Sequence, residues 1–405
     1  MLSDQFVDFH GSYDSTIIIT YPKSVITLVS PSQKKIAIVT HRFVFGDGQG
    51  RVNLEVVRKL VGRGHAVHLI SSDVDDELRE HPEVTWHRID VDGYPSELLR
   101  NQIFARKSSR ILKSFRNAVD LIVVNGAITF GASDVNAVHM VHSAWLASKY
   151  HSSRGRYSPS ALYQLLYTYV NARWERRAFQ STQRLVAVSG LLGDQIESLG
   201  IPRARIEVIP NGVDVSEFSP GHSEDRHGVS PDQLIGLFAG DIRRPLKNLD
   251  SVLTALVDHP RLHLLIAGDT EGSPYPDMAR RMGLDQRVTF LGYRRDLPDL
   301  MKLADMYIFP SRYESFSLVL LEAMASSTPV ITASTVGAAN LVGDSGFVIE
   351  DPDDVQALSA AIGKLVADSE LRKRMGAAGR EIALKCTFEK MAQAYADLFE
   401  EMTTQ

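Results

Sequence analysis

The chain has 405 residues, enough for about two or three domains of ordinary size. It carries 44 Lys plus Arg against 49 Asp plus Glu, a formal net charge of −5, with 44% hydrophobic and 23% charged residues. This balance excludes a disordered tail protein, a collagen-like repeat and a polybasic nucleic-acid coat, and the single cysteine, Cys386, excludes an intrachain disulfide or a multi-cysteine zinc site and fits a reducing compartment.

From Met1 to Tyr13 there are two acids, Asp4 and Asp8, and no basic residue, so the charged start of a secretory signal is missing. Residues 1–34 read as an N-terminal extension with an added β-hairpin, because Ile17–Ile19 and Val25–Val29 flank Tyr21-Pro22-Lys23. Lys35–Thr40 reads as a buried strand, followed by a loop with Gly46, Gly48 and Gly50. Val52, Leu54, Val56, Val57, Leu60 and Val61 then recur at helical spacing, Gly62 and Gly64 stop that helix, and Ala66–Ser71 is the next strand. Strand, turn, helix, strand is a βαβ unit and implies a parallel sheet covered on both faces. The alternation continues with strands at Leu121–Val124 and Ala137–Val141, a long helix at Ser160–Gln180, a strand at Leu185–Val188, a helix at Leu191–Leu199 and a strand at Ile206–Ile209. The polar stretch Ser216–Asp232 reads as a linker.

A second series follows: strands at Leu234–Ala239, Leu262–Ala267, Val288–Leu291, Met306–Phe309 and Pro329–Thr332, and helices at Leu249–Asp258, Met278–Met282, Leu297–Ala304, Leu318–Ala325, 353–367, 370–384 and 388–402. Ala323–Gly343 is free of charge, but Pro329, Gly337, Asn340 and six Ser or Thr suit a strand and loops better than a membrane helix. The expected architecture is α/β, with two doubly wound parallel-sheet domains at 35–218 and 219–387 and a final segment at 388–405. Ligands of such sheets bind beyond the carboxyl ends of the strands, which places the expected site in a cleft between the domains.

The strongest local pattern is Glu314-Ser315-Phe316-Ser317-Leu318-Val319-Leu320-Leu321-Glu322. It puts one carboxylate in a loop at a helix N-terminus and the second about one turn into the helix, while the first free amides suit an anion such as phosphate. The alternative is a helix-end charge and a surface residue. Gly240-Asp241-Ile242-Arg243-Arg244-Pro245-Leu246-Lys247-Asn248 links a strand to a helix, and its cations suit a diphosphate; a solvated basic loop is the alternative. The 46–50 loop has neither the dinucleotide fingerprint nor the Lys-Ser/Thr of a phosphate loop. His142, in His139-Met140-Val141-His142-Ser143, can face the cleft from a strand end or be structural. Asp73-Val74-Asp75 and Asp90-Val91-Asp92 read as loop acids rather than a metal site. Arg100–Arg116 holds six basic residues and no acid, with Ile103, Phe104, Ile111, Leu112 and Phe115 able to share a face. It can touch an anionic membrane or pack on its own sheet.

In this order the pieces resemble retaining glycosyltransferases of family 4, which have the GT-B architecture. The resemblance runs from about Lys35 to the C-terminus and rests on Phe309-Pro310-Ser311-Arg312-Tyr313 leading into Glu314…Glu322, on Val208-Ile209-Pro210-Asn211-Gly212-Val213-Asp214 and on Phe290-Leu291-Gly292-Tyr293. It implies an acceptor-binding first domain, a donor-binding second domain and a last helix crossing back to the first. By position it implies that Glu314 binds donor-sugar hydroxyls and Glu322 the ribose. The phosphates would be held by the amides of Ser317 and Leu318, by Lys247, and by Arg243 or Arg244. The backbone near Tyr293 would read the base, Gly48 and Gly50 would close over the diphosphate, and His142 would stand beside the anomeric carbon. Ser315 and Phe316 complete the donor set; His142, Glu314 and Lys247 form the catalytic one.

The implied reaction is hexosyl transfer (EC 2.4) from a UDP- or GDP-sugar to a hydroxyl on a glycan, glycolipid or lipid-linked saccharide. It would proceed on one face of the sugar with no cofactor and no metal. A cytoplasmic protein is expected, peripheral at the inner membrane face through 100–116 and with no nucleic-acid partner. The alternatives are a sugar-nucleotide epimerase or hydrolase, or a non-catalytic sugar-nucleotide-binding subunit. The chain departs from the family in having Asp241 where Arg is frequent, Ser317 and Ser327 where Gly is common, and Asn340 where an acid is frequent.

Overall fold

The computed structural model describes residues 20–21, 24–25, 33–155 and 157–404. Thr20–Tyr21 pairs antiparallel with Ser24–Val25; the expected strand Ile17–Ile19, all of Val25–Val29 but its first residue, and the rest of that extension up to residue 32 lie outside the described residues.

The first sheet has seven strands: β1 (Lys35–Val39), β2 (Ala66–Ser71), β3 (Val84–Arg88), β4 (Leu121–Asn125), β5 (Val135–Val138), β6 (Arg184–Ala187) and β7 (Ile206–Val208). All neighbours are parallel, in the order β7-β6-β5-β4-β1-β2-β3. The central strands β1 and β4 are apolar and buried, as a sheet covered on both faces requires. Besides a four-residue helical turn at Asp76–Arg79, the helices of this half are α1 (Gly48–Gly62), α2 (Glu97–Phe115), α3 (His142–Ala147), α4 (Pro159–Ser181) and α5 (Gly190–Glu197). Two expectations are corrected here. The strand expected to run to Val141 stops at Val138, and His142 opens the short helix α3. The glycine loop is shorter than expected, because α1 begins at Gly48.

Helix α2 carries the basic 100–116 segment. Its Phe104 and Leu112 are buried against Ala37, Val39, Ile122 and Val124, with Ile111 and Phe115 packed on the same cluster. Its apolar side therefore covers the sheet, and Arg106, Arg110 and Lys113 remain on the exposed side.

The second sheet has six parallel strands, β8 (Leu234–Ala239), β9 (Leu262–Ala267), β10 (Val288–Gly292), β11 (Met306–Phe309), β12 (Val330–Ala333) and β13 (Gly346–Ile349), in the order β10-β9-β8-β11-β12-β13. Its helices are α6 (Leu249–Leu256), α7 (Tyr275–Arg281), α8 (Leu297–Leu303), α9 (Leu318–Ala325), α10 (Val355–Ala367) and α11 (Ser369–Ala383). The strand order reverses between β8 and β11, which leaves a crevice beyond their carboxyl ends.

The last helix, α12 (Phe388–Met402), crosses back to the first half. Its Met391, Tyr395 and Phe399 are buried with Val56, Val57 and Leu60 of α1, and Glu389 and Asp397 pair with Lys59 and Arg63 at 2.5 and 2.6 Å. The outgoing and returning strands of the crossover run side by side. Val213 N donates to Cys386 O at 3.0 Å, and a Cβ on Gly212 would lie 2.4 Å from Phe388 N, so only glycine fits there. Among the described residues no helix is long and apolar enough to cross a membrane.

Candidate functional site at the crevice between the sheets

Lys247 ends a single 3-10 turn, Pro245–Lys247, beyond the carboxyl end of β8. Asn248 follows in the left-handed region at φ +65° and is fully buried; its Nδ2 donates to Pro310 O at 2.9 Å and to Pro352 O at 2.5 Å. Arg312 straps the same turn from the loop after β11. Its guanidinium donates to Asp250 at 2.7 Å, to Asp353 at 2.8 Å and to Pro245 O at 2.5 Å, and its amide donates to Leu246 O at 2.9 Å. Held in this way, Lys247 Nζ forms an ion pair with Glu314 and lies 5.5 Å from the centroid of the Phe309 ring.

The Glu314 loop is stitched to the segment after β12. Glu314 N donates to Thr335 O at 3.2 Å, Gly337 N to Glu314 O at 2.9 Å and Ala338 N to Phe316 O at 2.9 Å. Phe316 is buried, and the Ser315 carbonyl accepts from Ser189 Oγ of the first half at 2.8 Å. Ser317 caps α9 by accepting from Leu320 N at 3.3 Å, and its own φ is +84°. The amides of Ser317 and Leu318 donate to no described residue, so the positive end of α9 faces the crevice unsatisfied. The two departures from glycine, Ser317 and Ser327, both have positive φ, at +84° and +60°. A left-handed residue with a Cβ is strained by about 1–2 kcal/mol. Ser327→Gly is therefore expected to raise the melting temperature by about 1–3 °C, after allowing for the added freedom of glycine in the unfolded chain; an unchanged or lower melt in a calorimeter would show that Ser327 is not strained.

Glu322 is half-buried, but its Oε2 is enclosed and has no hydrogen-bond partner. Burial, with a smaller contribution from nearby Glu217, pushes its carboxyl up from the ordinary 4.5 to about 8. The folded protein thus keeps a proton that the unfolded chain releases near its ordinary pKa, and stability falls as pH rises from about 5 to 8. Glu322→Gln is expected to melt later than the parent, by a margin that widens over that range to roughly 2–5 °C at pH 8. A margin that does not grow with pH would remove Glu322 as the titrating group.

His142 stands at the start of α3. Its amide and that of Ser143 donate to the buried Glu175 of α4 at 2.6 and 2.9 Å, and its Nδ1 lies 3.3 Å from the same carboxylate. The adjoining His139 presents a ring nitrogen, Nε2, that is buried and unpartnered, and burial lowers its pKa to about 4. Helix α3 abuts the loop after β11. The rings of Trp145 and Tyr313 lie 4.9 Å apart, and Tyr313 Oη donates to Val141 O at 3.4 Å. Tyr150 Oη, in the loop after α3, donates to Asp353 at 2.7 Å.

Of the other expected residues, Gly48 is exposed and so close to α9 that a Cβ there would touch Leu318 at 3.1 Å. Gly50 is buried inside α1 beneath the Val44 carbonyl. Arg243 turns to Asp241 at 2.8 Å and Asp269 at 3.6 Å, whereas Arg244 is exposed and makes no ion pair with any described residue. Asp241, beside Arg243, is held below the usual carboxylate range. Tyr293 is exposed just beyond β10. The acidic triplets serve local turns: Asp75 caps the turn of helix that follows it, and Asp90 accepts from Asp92 N at 2.9 Å. Among the described residues no three His, Cys, Asp or Glu gather as a metal-holding group.

The chain has counterparts among known proteins. A family model described as glycosyl transferases group 1 matches residues 223–382, and one described as Glycosyltransferase Family 4 matches residues 46–217. The chain belongs to glycosyltransferase family 4. It is 25% identical over 369 residues to the N-acetyl-alpha-D-glucosaminyl L-malate synthase of Bacillus anthracis, covering 88% of this chain and 94% of that protein. It is 36% identical over 193 residues to the D-inositol 3-phosphate glycosyltransferase of Mycolicibacterium smegmatis, a match covering 44% of each. Among solved structures, WaaG, a glycosyltransferase involved in lipopolysaccharide biosynthesis, superposes with a TM-score of 0.73 at 19% identity over 90% of this chain and 99% of that one. Anabaena Alr3699/HepE in complex with UDP and glucose gives 0.68 at 20% identity over 91% of this chain and 100% of that one. These neighbours fix the architecture as GT-B, and family 4 membership makes the chain a sugar-nucleotide-dependent glycosyltransferase. Sequence reasoning missed Glu175, Arg312, Asn248 and Gly337 as parts of this family-4 crevice. Each acts through a partner distant in the chain, and only Arg312 and Asn248 lay inside motifs already singled out.

Proposed function

We propose that this chain is a retaining hexosyltransferase that moves a sugar from a UDP- or GDP-sugar to a hydroxyl of a glycan, glycolipid or lipid-linked saccharide, without a metal. The observation that carries the reading is the Lys247–Glu314 ion pair at the reversal of strand order, beside the unsatisfied amides of α9. A bound diphosphate takes Lys247 as its counter-ion and frees the Glu314 carboxylate to accept from donor-sugar hydroxyls. The negative charge that grows on the leaving diphosphate is met by Lys247 and the helix N-terminus, both held before reaction, and by Arg243 or Arg244 turning in from the exposed loop. The departing phosphate oxygen stands on the face where the acceptor attacks and takes its proton, which preserves the anomeric configuration. Glu322, half-buried on α9, accepts from the ribose. His142, oriented by Glu175, lies beside the acceptor. UDP and UDP-glucose in the solved neighbour support a nucleotide-sugar donor, and the names of the relatives support a hydroxyl-bearing acceptor. A cytoplasmic location, peripheral at the inner membrane face, belongs to the same proposal.

The test is a melting panel of nucleotides and nucleotide sugars, followed by NMR of the product formed from the donor that binds. A nucleotide diphosphate at 100 times its Kd stabilises the fold by about 2.7 kcal/mol, a visible shift. The anomeric configuration of the donor should persist in the product, and transfer should survive chelation of divalent cations. No shift with any nucleotide diphosphate, or an inverted product, would overturn the reading.

A further inference from the structure

We propose that the outer face of α4 is the surface on which this protein rests against an anionic lipid bilayer. On that face Leu162, Leu165, Leu166 and Tyr169 follow one another at helical spacing, 69%, 42%, 52% and 49% exposed. The same stripe continues without a break into Arg173, Arg176 and Arg177, all exposed and none in an ion pair with any described residue. Tyr157, just ahead of the helix, is fully exposed. Apolar side chains in a row on a soluble surface mark an interaction site. A row that runs on into unpaired guanidinium groups suits an interface where acyl chains and phosphate headgroups lie at neighbouring depths.

Charge decides between a bilayer and a second copy of the chain. Between Asp134 and Asp194 the only acid is Glu175, although the whole chain has a net charge of −5. Glu175 is buried on the inner side of α4, where it holds the amides of His142 and Ser143. A two-fold contact built on this stripe would thus bring six guanidinium groups and no carboxylate from the helix, whereas anionic headgroups supply the missing charge. The 100–116 segment is less suited, because its apolar side already covers the first sheet and leaves cations and Ser114 outside, with no exposed large apolar side chain. Seating through α4 brings a lipid-borne hydroxyl to within about one helix diameter, roughly 10 Å, of the residues that Glu175 holds. The inference deepens the peripheral location proposed above, and it is independent of the transferase reading because vesicle binding needs no sugar.

The experiment is sedimentation of the full chain with vesicles of phosphatidylcholine alone or mixed with phosphatidylglycerol, at low and high salt. The parent should bind only the mixed vesicles, and less at high salt. The triple variant Leu162→Ser, Leu165→Ser, Leu166→Ser and the triple variant Arg173→Ser, Arg176→Ser, Arg177→Ser should each bind at least ~10-fold more weakly, with melting temperatures like the parent's. A third variant, Arg106→Ser, Arg110→Ser, Lys113→Ser, should bind nearly as the parent does. The proposal is overturned if the parent ignores mixed vesicles, if both α4 variants bind like the parent, or if only the third variant loses binding. It is also overturned if the parent is a dimer that the leucine variant makes monomeric, since a second copy then covers this face.

Discussion

Replacing Lys247 with alanine is expected to lower kcat/KM for sugar transfer at least ~100-fold, and Glu314→Ala is expected to do the same. Each removes a crevice interaction worth about 3 kcal/mol to the transition state, by analogy with the loss of a preorganised donor at a developing oxyanion. Lys247 is set by a buried left-handed Asn248 and by the Arg312 strap, so its ammonium is held in place by the protein's own residues. Because Lys247 and Glu314 are in contact, the double variant should lose less than the product of the two single losses. Steady-state kinetics with the donor found in the melting panel would measure this, and parent-like turnover in either single variant would remove the pair from the reaction. Lys247→Arg is a useful control. It keeps the charge but spreads it over a planar fork, so partial rescue argues for charge at that place, while no rescue argues for a compact ammonium.

Much of the architecture was legible because buried parallel strands are written as short apolar runs between helices with an apolar face. Lys35–Val39, Leu234–Ala239 and Met306–Phe309 are of this kind. What escaped has a common physical character. The edge strands Val84–Arg88 and Gly346–Ile349 are covered on fewer sides, carry polar or small residues, and look like loop. The helix at His142 is only six residues long, too short for periodicity to show. The amphipathic 100–116 segment was visible as a helix, but periodicity cannot tell what the apolar side covers, and here it covers a sheet. In the crevice, Glu314, Glu322 and Lys247 could be picked out because strand ends and helix starts locate them. Glu175 and Gly337 could not, since one matters for two amides 32 and 33 residues earlier and the other for a carbonyl 22 residues earlier.

Gly337 gives the second large expected effect. A Cβ built there would lie 1.9 Å from Ser315 O, 2.6 Å from Ser315 C and 2.7 Å from Ser189 Oγ. The first two are backbone atoms and cannot rotate away, so Gly337→Ala must move the 314–316 segment by more than an ångström. That displacement sacrifices the bonds from Gly337 N to Glu314 O, from Ala338 N to Phe316 O and from Ser189 Oγ to Ser315 O. At about 1 kcal/mol each, the loss is about 3 kcal/mol, a fall of roughly 6–12 °C in melting temperature. Ser189→Ala removes the third bond and also the cap that Ser189 Oγ gives α5 by accepting from Leu192 N at 3.2 Å, so it should cost about two-thirds as much. The two variants also separate folding from function. In Gly337→Ala the carboxylate of Glu314 leaves Lys247, so transfer should fall at least ~100-fold even well below the melt, whereas Ser189→Ala should keep most of its turnover. Melting curves and kinetics on the same preparations would decide the matter. If Gly337→Ala melts and turns over like the parent, the two backbones are not in contact and the crevice is not held by this stitch.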